Sequence, residues 1–275
     1  MQYIIRDMIV RADRIAICVF LAALLGSACA NPFAPQYEYE EQVYLEVDGR
    51  ASVVIDTSLL ALAALRGSAI DPAIATATDR NVVRRLVTAA GCQVDDVSRF
   101  WTRHGRQFVQ IQVSAAHVKD LPACRLLSWS TYSLDKIDAG PFAGGLRFQQ
   151  HLGPPSPSGL RRASPSSPGE ATSTNWAGDE LVAFKVHLPS RILDHNVKLL
   201  NGTNGTTERG NILTWAQTLT DRRAGKPLDM RADMDGKSIL HTTLWLFAGA
   251  FAAAVALLVV SIWLVIRKGR RKRLF

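Results

Sequence analysis

The chain has 275 residues, is 48% hydrophobic and 20% charged, and carries a formal net charge of +8. That length allows a sizeable core or two small domains. The charge does not argue for a nucleic-acid partner, because Arg267, Lys268, Arg270, Arg271, Lys272 and Arg273 crowd one end and the rest is nearly neutral.

At the front, Arg6, Arg11 and Arg14 precede an apolar core from Ile15 to Leu25 and then small residues, with Met8 an alternative start. This is a signal-peptide pattern, and the core is too short to span a bilayer. Two cleavage readings stay open over 1–30. Ala28-Cys29-Ala30 suits ordinary secretion, whereas Leu24 to Cys29 resembles a lipobox that would make Cys29 a lipidation site, with Gly26 where leucine is usual. Cys18 lies in the signal core, so the mature body keeps Cys92 and Cys124, a candidate disulfide in an oxidising compartment. They lack the paired spacing of a zinc site.

The expected fold class is α+β, a largely antiparallel sheet with helices on one face, followed by one transmembrane helix. From Gln42 to Ile55, Val43, Leu45, Val47, Ala51, Val53 and Ile55 alternate around Asp48-Gly49, which predicts a hairpin with a two-residue type I′ turn. Asp56-Thr57-Ser58 supplies caps for a helix through Leu65 to a stop at Gly67. A second helix is expected from Thr78 or Asp79 to Ala90, with Gly91 closing it. Val94 to Phe100 and Gln107 to Val113 read as strands joined through Thr102 to Arg106, then a short helix over Ser114 to Leu121 and a strand element over Leu126 to Ile137. This α+β part is placed at 31–152. A proline-, serine- and glycine-rich loop or linker follows at 153–178, too poor in apolar surface to offset ordering entropy.

A β-rich part is placed at 179–237. Glu180 to Leu188 alternates as a strand ending at Pro189, and Asn196 to Trp215 reads as a turn-rich hairpin whose last strand carries the indole. Lys226-Pro227 to Ser238 reads as a short polar connection to the terminal helix, holding the exported part close to the bilayer. The text Phe184-Lys185-Val186-His187-Leu188-Pro189, Asn201-Gly202 and Gly210-Asn211-Ile212-Leu213-Thr214-Trp215 resembles the LppM-like family of exported bacterial proteins. Ser190 stands where the family commonly has glycine. The resemblance implies a sheet domain followed by one C-terminal transmembrane helix, and a non-catalytic envelope module similar to those that hold lipid-like ligands.

The apolar run Ile239 to Ile266 predicts a helix long enough to cross a hydrocarbon core of about 30 Å, within a span placed at 238–266. Trp245 and Trp263, ~27 Å apart along a helix, suit the two headgroup layers. Arg267, Lys268, Arg270 and Arg271 complete the interface anchors. The basic tail, 267–275, is expected in the cytoplasm against anionic lipid, with the body outside the cell membrane.

Little in the sequence points to catalysis. His104, His117, His151, His187 and His195 are scattered, and no zinc-protease, nucleophile-elbow or phosphate-loop motif occurs. Asp194-His195 is the one adjacent acid and base, better explained as a turn bonding its own backbone. Asp95-Asp96 and Asp229, Asp233 and Asp235 lack the spaced oxygens of a calcium loop and read as a solvated acidic face. Trp101, Trp129, Trp176 and Trp215 read as packing residues, with a ligand groove second. Asn201 and Asn204 match glycosylation acceptors but read as turn residues. The expectation is therefore a membrane-anchored, non-catalytic protein with no cofactor or metal. Its expected partner is an envelope lipid or glycolipid. The alternatives are an assembly protein recruiting an envelope protein and, last, an envelope hydrolase using Asp194 and His195.

Overall fold

In the computed structural model, the structure describes residues 36–138, 144–155, 179–205 and 211–271. Among them eleven strands form two sheets. The first holds β1 (Tyr37–Leu45), β2 (Ala51–Ser58), β3 (Val94–Val97), β4 (Trp101–Arg103), β5 (Arg106–Ala115), β8 (Leu181–His187) and β10 (Ile212–Thr218), in the order β10-β8-β1-β2-β5-β3 with β4 also on β5. The second holds β6 (Ser130–Asp138), β7 (Gly144–Leu152), β9 (Ser190–His195) and β11 (Leu228–Ser238), in the order β6-β7-β11-β9. Pairing is antiparallel throughout except between β1 and β8. The class is α+β, with two sheets where one was expected.

Alternation sets the two faces of each strand. Along β1, Tyr39, Val43 and Leu45 point inward with Glu41, while Glu40, Gln42 and Tyr44 point out. Helix α1 (Leu59–Arg66) packs on the inner face over β1, β2 and β5. Its N-cap is Ser58, whose hydroxyl accepts from the Ala61 N–H at 3.1 Å. Helix α2 (Arg80–Ala89) is capped by Asp79 and closes on Gly91 at φ +82°, as the sequence predicts. The second sheet covers the rest of the inner face. Phe148, Met230, Ala232 and Met234 from it share one core with Phe184, Leu213 and Trp215 from the first.

Several expectations are corrected. The β1–β2 turn is not a two-residue type I′. The Glu46 N–H bonds the Arg50 carbonyl at 2.9 Å, the Gly49 N–H bonds the Glu46 carbonyl at 3.0 Å, and of the turn residues only Gly49 has positive φ, +93°. This is a three-residue loop with a glycine bulge, helped by the Asp48 carboxylate accepting the Arg50 N–H. The two-residue turn with positive φ at both positions is instead His104-Gly105, between paired Arg103 and Arg106, so the expected five-residue loop is mostly strand. Ser114 and Ala115 end β5, and the short helix is a 3-10 turn over Val118–Ala123.

The largest correction lies at 226–238. This stretch is not a polar connection but β11, eleven residues long and central in its sheet. Its inward Met230, Ala232 and Met234 alternate with Asp229, Arg231, Asp233 and Asp235, a pattern hidden by its many charges. Between β8 and β10 the chain also leaves the first sheet to add β9 to β11, with register shifts beside Met234. The reading of Asn196 to Trp215 as one hairpin therefore fails, because β10 pairs with β8.

Strand β11 ends at Ser238 and helix α4 (Ile239–Arg271) begins at the next residue. Within α4, Thr243–Trp263 spans 21 residues at mean hydropathy 2.4, none of it buried against protein, and by length and composition it is apolar enough to cross a membrane.

Candidate functional site

The polar centre of the molecule is built around Glu41. The inward phase of β1 carries its carboxylate into the core, where the residue is fully buried. It accepts hydrogen bonds from Tyr39 Oη at 3.0 Å, Tyr132 Oη at 3.1 Å and Gln150 Nε2 at 3.1 Å. Tyr132 and Gln150 belong to β6 and β7, so one carboxylate of the first sheet ties it to two strands of the second. Gln150 Nε2 also donates to Ser130 Oγ at 3.1 Å. A buried carboxylate is costly unless its lone pairs are used, and here three donors converge on it.

Two buried arginines flank this centre. Arg66, at the end of α1, lies 4.9 Å from the Trp129 ring centroid, and Arg222, in α3 (Leu219–Arg223), lies 5.4 Å from it. Arg66 donates to the Leu126 carbonyl at 2.8 Å, to Ser128 Oγ at 2.9 Å and to the Arg125 carbonyl. Arg222 donates to the Gly153 carbonyl and to Gln217 Oε1. Burial pushes the Glu41 carboxyl above its ordinary pKa, against the pull of its hydrogen bonds. Burial first, and the Glu41 charge second, hold the Tyr39 and Tyr132 phenols well above the usual range. Burial lowers Arg66, and lowers Arg222 to about 10. Chemically the centre is a latch between the sheets, with Gln150 Oε1, Trp129 Nε1 and Arg222 Nε buried beside it without a hydrogen-bond partner among the described residues.

Sequence reasoning missed these residues. A β1 strand begun at Gln42 leaves Glu41 outside the alternation. Begun at Tyr37, the same pattern puts Glu41 in phase with Tyr39, Val43 and Leu45. Arg66 likewise follows the apolar positions Leu59 and Leu62 on the buried side of α1. For Arg222 no comparable signal exists in a helix of five residues.

Of the acids expected on a solvated face, Asp95, Asp96 and Asp229 are exposed and Asp233 is buried, and most of them are paired. On the outer side of the second sheet, Arg147 meets Asp233 through two bonds of 2.7 Å, Arg231 meets Asp194 at 2.5 Å, and His151 Nδ1 lies 2.5 Å from Asp229. Asp235 accepts the Lys237 N–H. Asp96 meets Arg84 at 3.4 Å, and Asp95 accepts from Ser114 Oγ at 3.0 Å. The adjacent Asp194 and His195 point to different partners, since His195 Nδ1 accepts the Val197 N–H at 3.3 Å. Among the described residues, no group of three or more His, Cys, Asp and Glu could hold a metal.

The forked Arg147–Asp233 pair carries a pH prediction. Hydrogen bonds from Arg147 hold Asp233 below the usual carboxylate range, so its stabilisation is present above about pH 4 and is lost as pH falls through the lowered value. Asp233→Asn should therefore flatten the acid side of a plot of urea midpoint against pH. An unchanged acid limb would show that the pair contributes nothing.

Cys92 and Cys124 form a disulfide, with Cα atoms 4.4 Å apart. It pins the end of α2 to the loop after the 3-10 turn, where Arg125 also donates to the Ala89 and Ala90 carbonyls. Cys29 lies outside the described residues. On α4, Trp245 and Trp263 are exposed, and the Arg267 guanidinium sits 5.0 Å from the Trp263 ring centroid. The side chains of Lys268, Arg270 and Arg271 lie outside the description, as does Trp176. Trp129 and Trp215 are buried packing residues, and Trp101 is exposed.

No family model matches the chain, and no curated protein matches it. Among solved structures it is similar to the folded domain of LppM (Rv2171) from Mycobacterium tuberculosis, determined by NMR. The identity is 12%, the TM-score 0.36, and the match covers 75% of this chain and 94% of that one. The structural relation to LppM-like proteins is thus a weak one.

Proposed function

We propose that the chain is a single-pass, membrane-anchored exported protein of the bacterial cell envelope. Its folded body lies outside the membrane, its C-terminus in the cytoplasm, and it holds a lipid or glycolipid near the bilayer without catalysing a reaction. The observation that carries the membrane anchoring is the junction of β11 and α4. A central strand passes into an exposed apolar helix with no intervening residue, so a crossing helix fixes the folded body at the headgroup layer. The cluster from Arg267 to Arg273 supports the orientation, since positive residues beside a span stay inside.

A non-catalytic role is supported by the engagement of Asp194 with Arg231 and of His195 with its own backbone. The test is to purify the full chain in detergent and analyse an organic extract by mass spectrometry. A defined lipid recovered in near-equal molar amount is expected. Extracts holding only the bulk membrane lipids, in bulk proportions, would remove the ligand from the reading.

A further inference from the structure

The outward face of the seven-stranded sheet presents polar groups in rows. Its strands are in register, so residues of equal phase stand side by side. One row runs Glu40, Asp56, Gln110, and the next runs Lys185, Gln42, Val54, Gln112. A third joins His187, Tyr44, Ser52 and Ser114, and at the opposite end of β5 Trp101 stands beside Phe108. Outside α4, the exposed large apolar side chains among the described residues are Tyr44, Trp101, Leu193, Leu199 and Leu200. Both aromatic ones lie on this face.

Both rings are held although exposed. Tyr44 stacks on His187 at 3.9 Å and donates from Oη to Gln42 Oε1 at 3.2 Å, while His187 Nε2 meets the same oxygen at 3.0 Å. Trp101 stacks on Phe108 at 5.9 Å, and the Arg103 guanidinium lies 4.0 Å from the Phe108 centroid. Yet Tyr44 and Trp101 keep 39% and 38% of their surface exposed. Rings fixed in advance lose little entropy when something stacks on them.

The two rings are separated by six residues along β5 and three strand spacings across the sheet, roughly 25 Å in all. Between them, around Val54, stand side chains that donate and accept through amides or accept through carboxylates. Asp56 accepts from Gln110 Nε2 at 2.9 Å, with burial and the neighbouring Glu40 raising its pKa. An acyl chain would lie across these polar side chains, and a protein hot spot would want a central apolar anchor. A ligand with an apolar face of C–H bonds, hydroxyls at its rim and an extended shape satisfies every part.

We propose that this face binds an extended glycan strand. Tyr44 and Trp101 stack on sugar rings at its two ends, and Gln42, Asp56, Gln110 and Gln112 bond its hydroxyls between them. This site lies beyond the lipid reading above, and its test does not depend on membrane orientation, so either can fail alone.

The test titrates the full chain in detergent with chitotetraose, cellotetraose and mannotetraose, followed by calorimetry and tryptophan fluorescence. At least one should bind with Kd below about 1 mM. Trp101→Ala and Tyr44→Ala should each weaken it at least tenfold while leaving the urea midpoint in place, and Gln110→Ala should weaken it at an unchanged fold. Leu199→Ala, exposed but off this face, should bind as the parent does. Binding of none of the three glycans, or binding that survives both aromatic substitutions, overturns the proposal.

Discussion

Replacing Glu41 with alanine is expected to remove about 3 kcal/mol or more of folding stability, the range seen when one partner of a buried charged network is deleted. The substitution strands the hydroxyls of Tyr39 and Tyr132 and the amide of Gln150, all of which spend a donor on this carboxylate. It also takes the one carboxylate from between Arg66 and Arg222, whose pKa values its charge helps to hold up. Glu41→Gln keeps the volume and an acceptor oxygen but turns an amide toward donors, so it should cost less, about 1–2 kcal/mol. Urea unfolding followed by tryptophan fluorescence measures both. An alanine variant as stable as the parent would show that the latch between the sheets is not what holds them.

The same residue sets a pH dependence opposite in sign to that of Asp233. Because burial raises the folded pKa of Glu41, the folded state binds this proton more tightly than the unfolded chain does. Its contribution is fully present below the ordinary glutamate range, about pH 4.3, and is lost as pH rises through the raised value. Glu41→Gln should remove that decline, leaving a urea midpoint that falls only on the acid side.

Breaking the Cys92–Cys124 disulfide is the second large expected effect. The loop it closes, with a sequence separation of 32, corresponds to about 3.7 kcal/mol of lost chain entropy in the unfolded state. For a body of this size that is roughly a 7–15 °C drop in Tm. The double substitution of Cys92 and Cys124 by serine should show it, as should the parent chain under reductant. A drop below about 2 °C would mean that the Arg125 bonds to the Ala89 and Ala90 carbonyls hold the same junction unaided.

Where the sequence was legible, a local signal and the tertiary environment agreed. Ser58 and Asp79 cap helices because a small polar side chain just before an apolar periodic run has few other uses. Strand β8 follows its alternation, and the pairing of Cys92 with Cys124 follows from there being two cysteines in the body. Strand β11 went unread because alternate positions carry Asp229, Arg231, Asp233 and Asp235, and so many charges suggest a linker. Their pairing with Arg147, Asp194 and His151 comes from β7 and β9, distant in sequence. The Glu41 centre was hidden for a related reason. Its partners Tyr132 and Gln150 lie 91 and 109 residues away, so only the phase of β1 could have shown that the carboxylate faces inward.

On the proposed topology both sheets lie outside the membrane. Alkaline phosphatase, active only outside the cytoplasm, can be fused after Ser238 in one chain and after Phe275 in another, each expressed with its own N-terminus in a bacterial host. The fusion after Ser238 should be active and the fusion after Phe275 inactive. Activity confined to the fusion after Phe275 would place the sheets inside the cell and contradict the account.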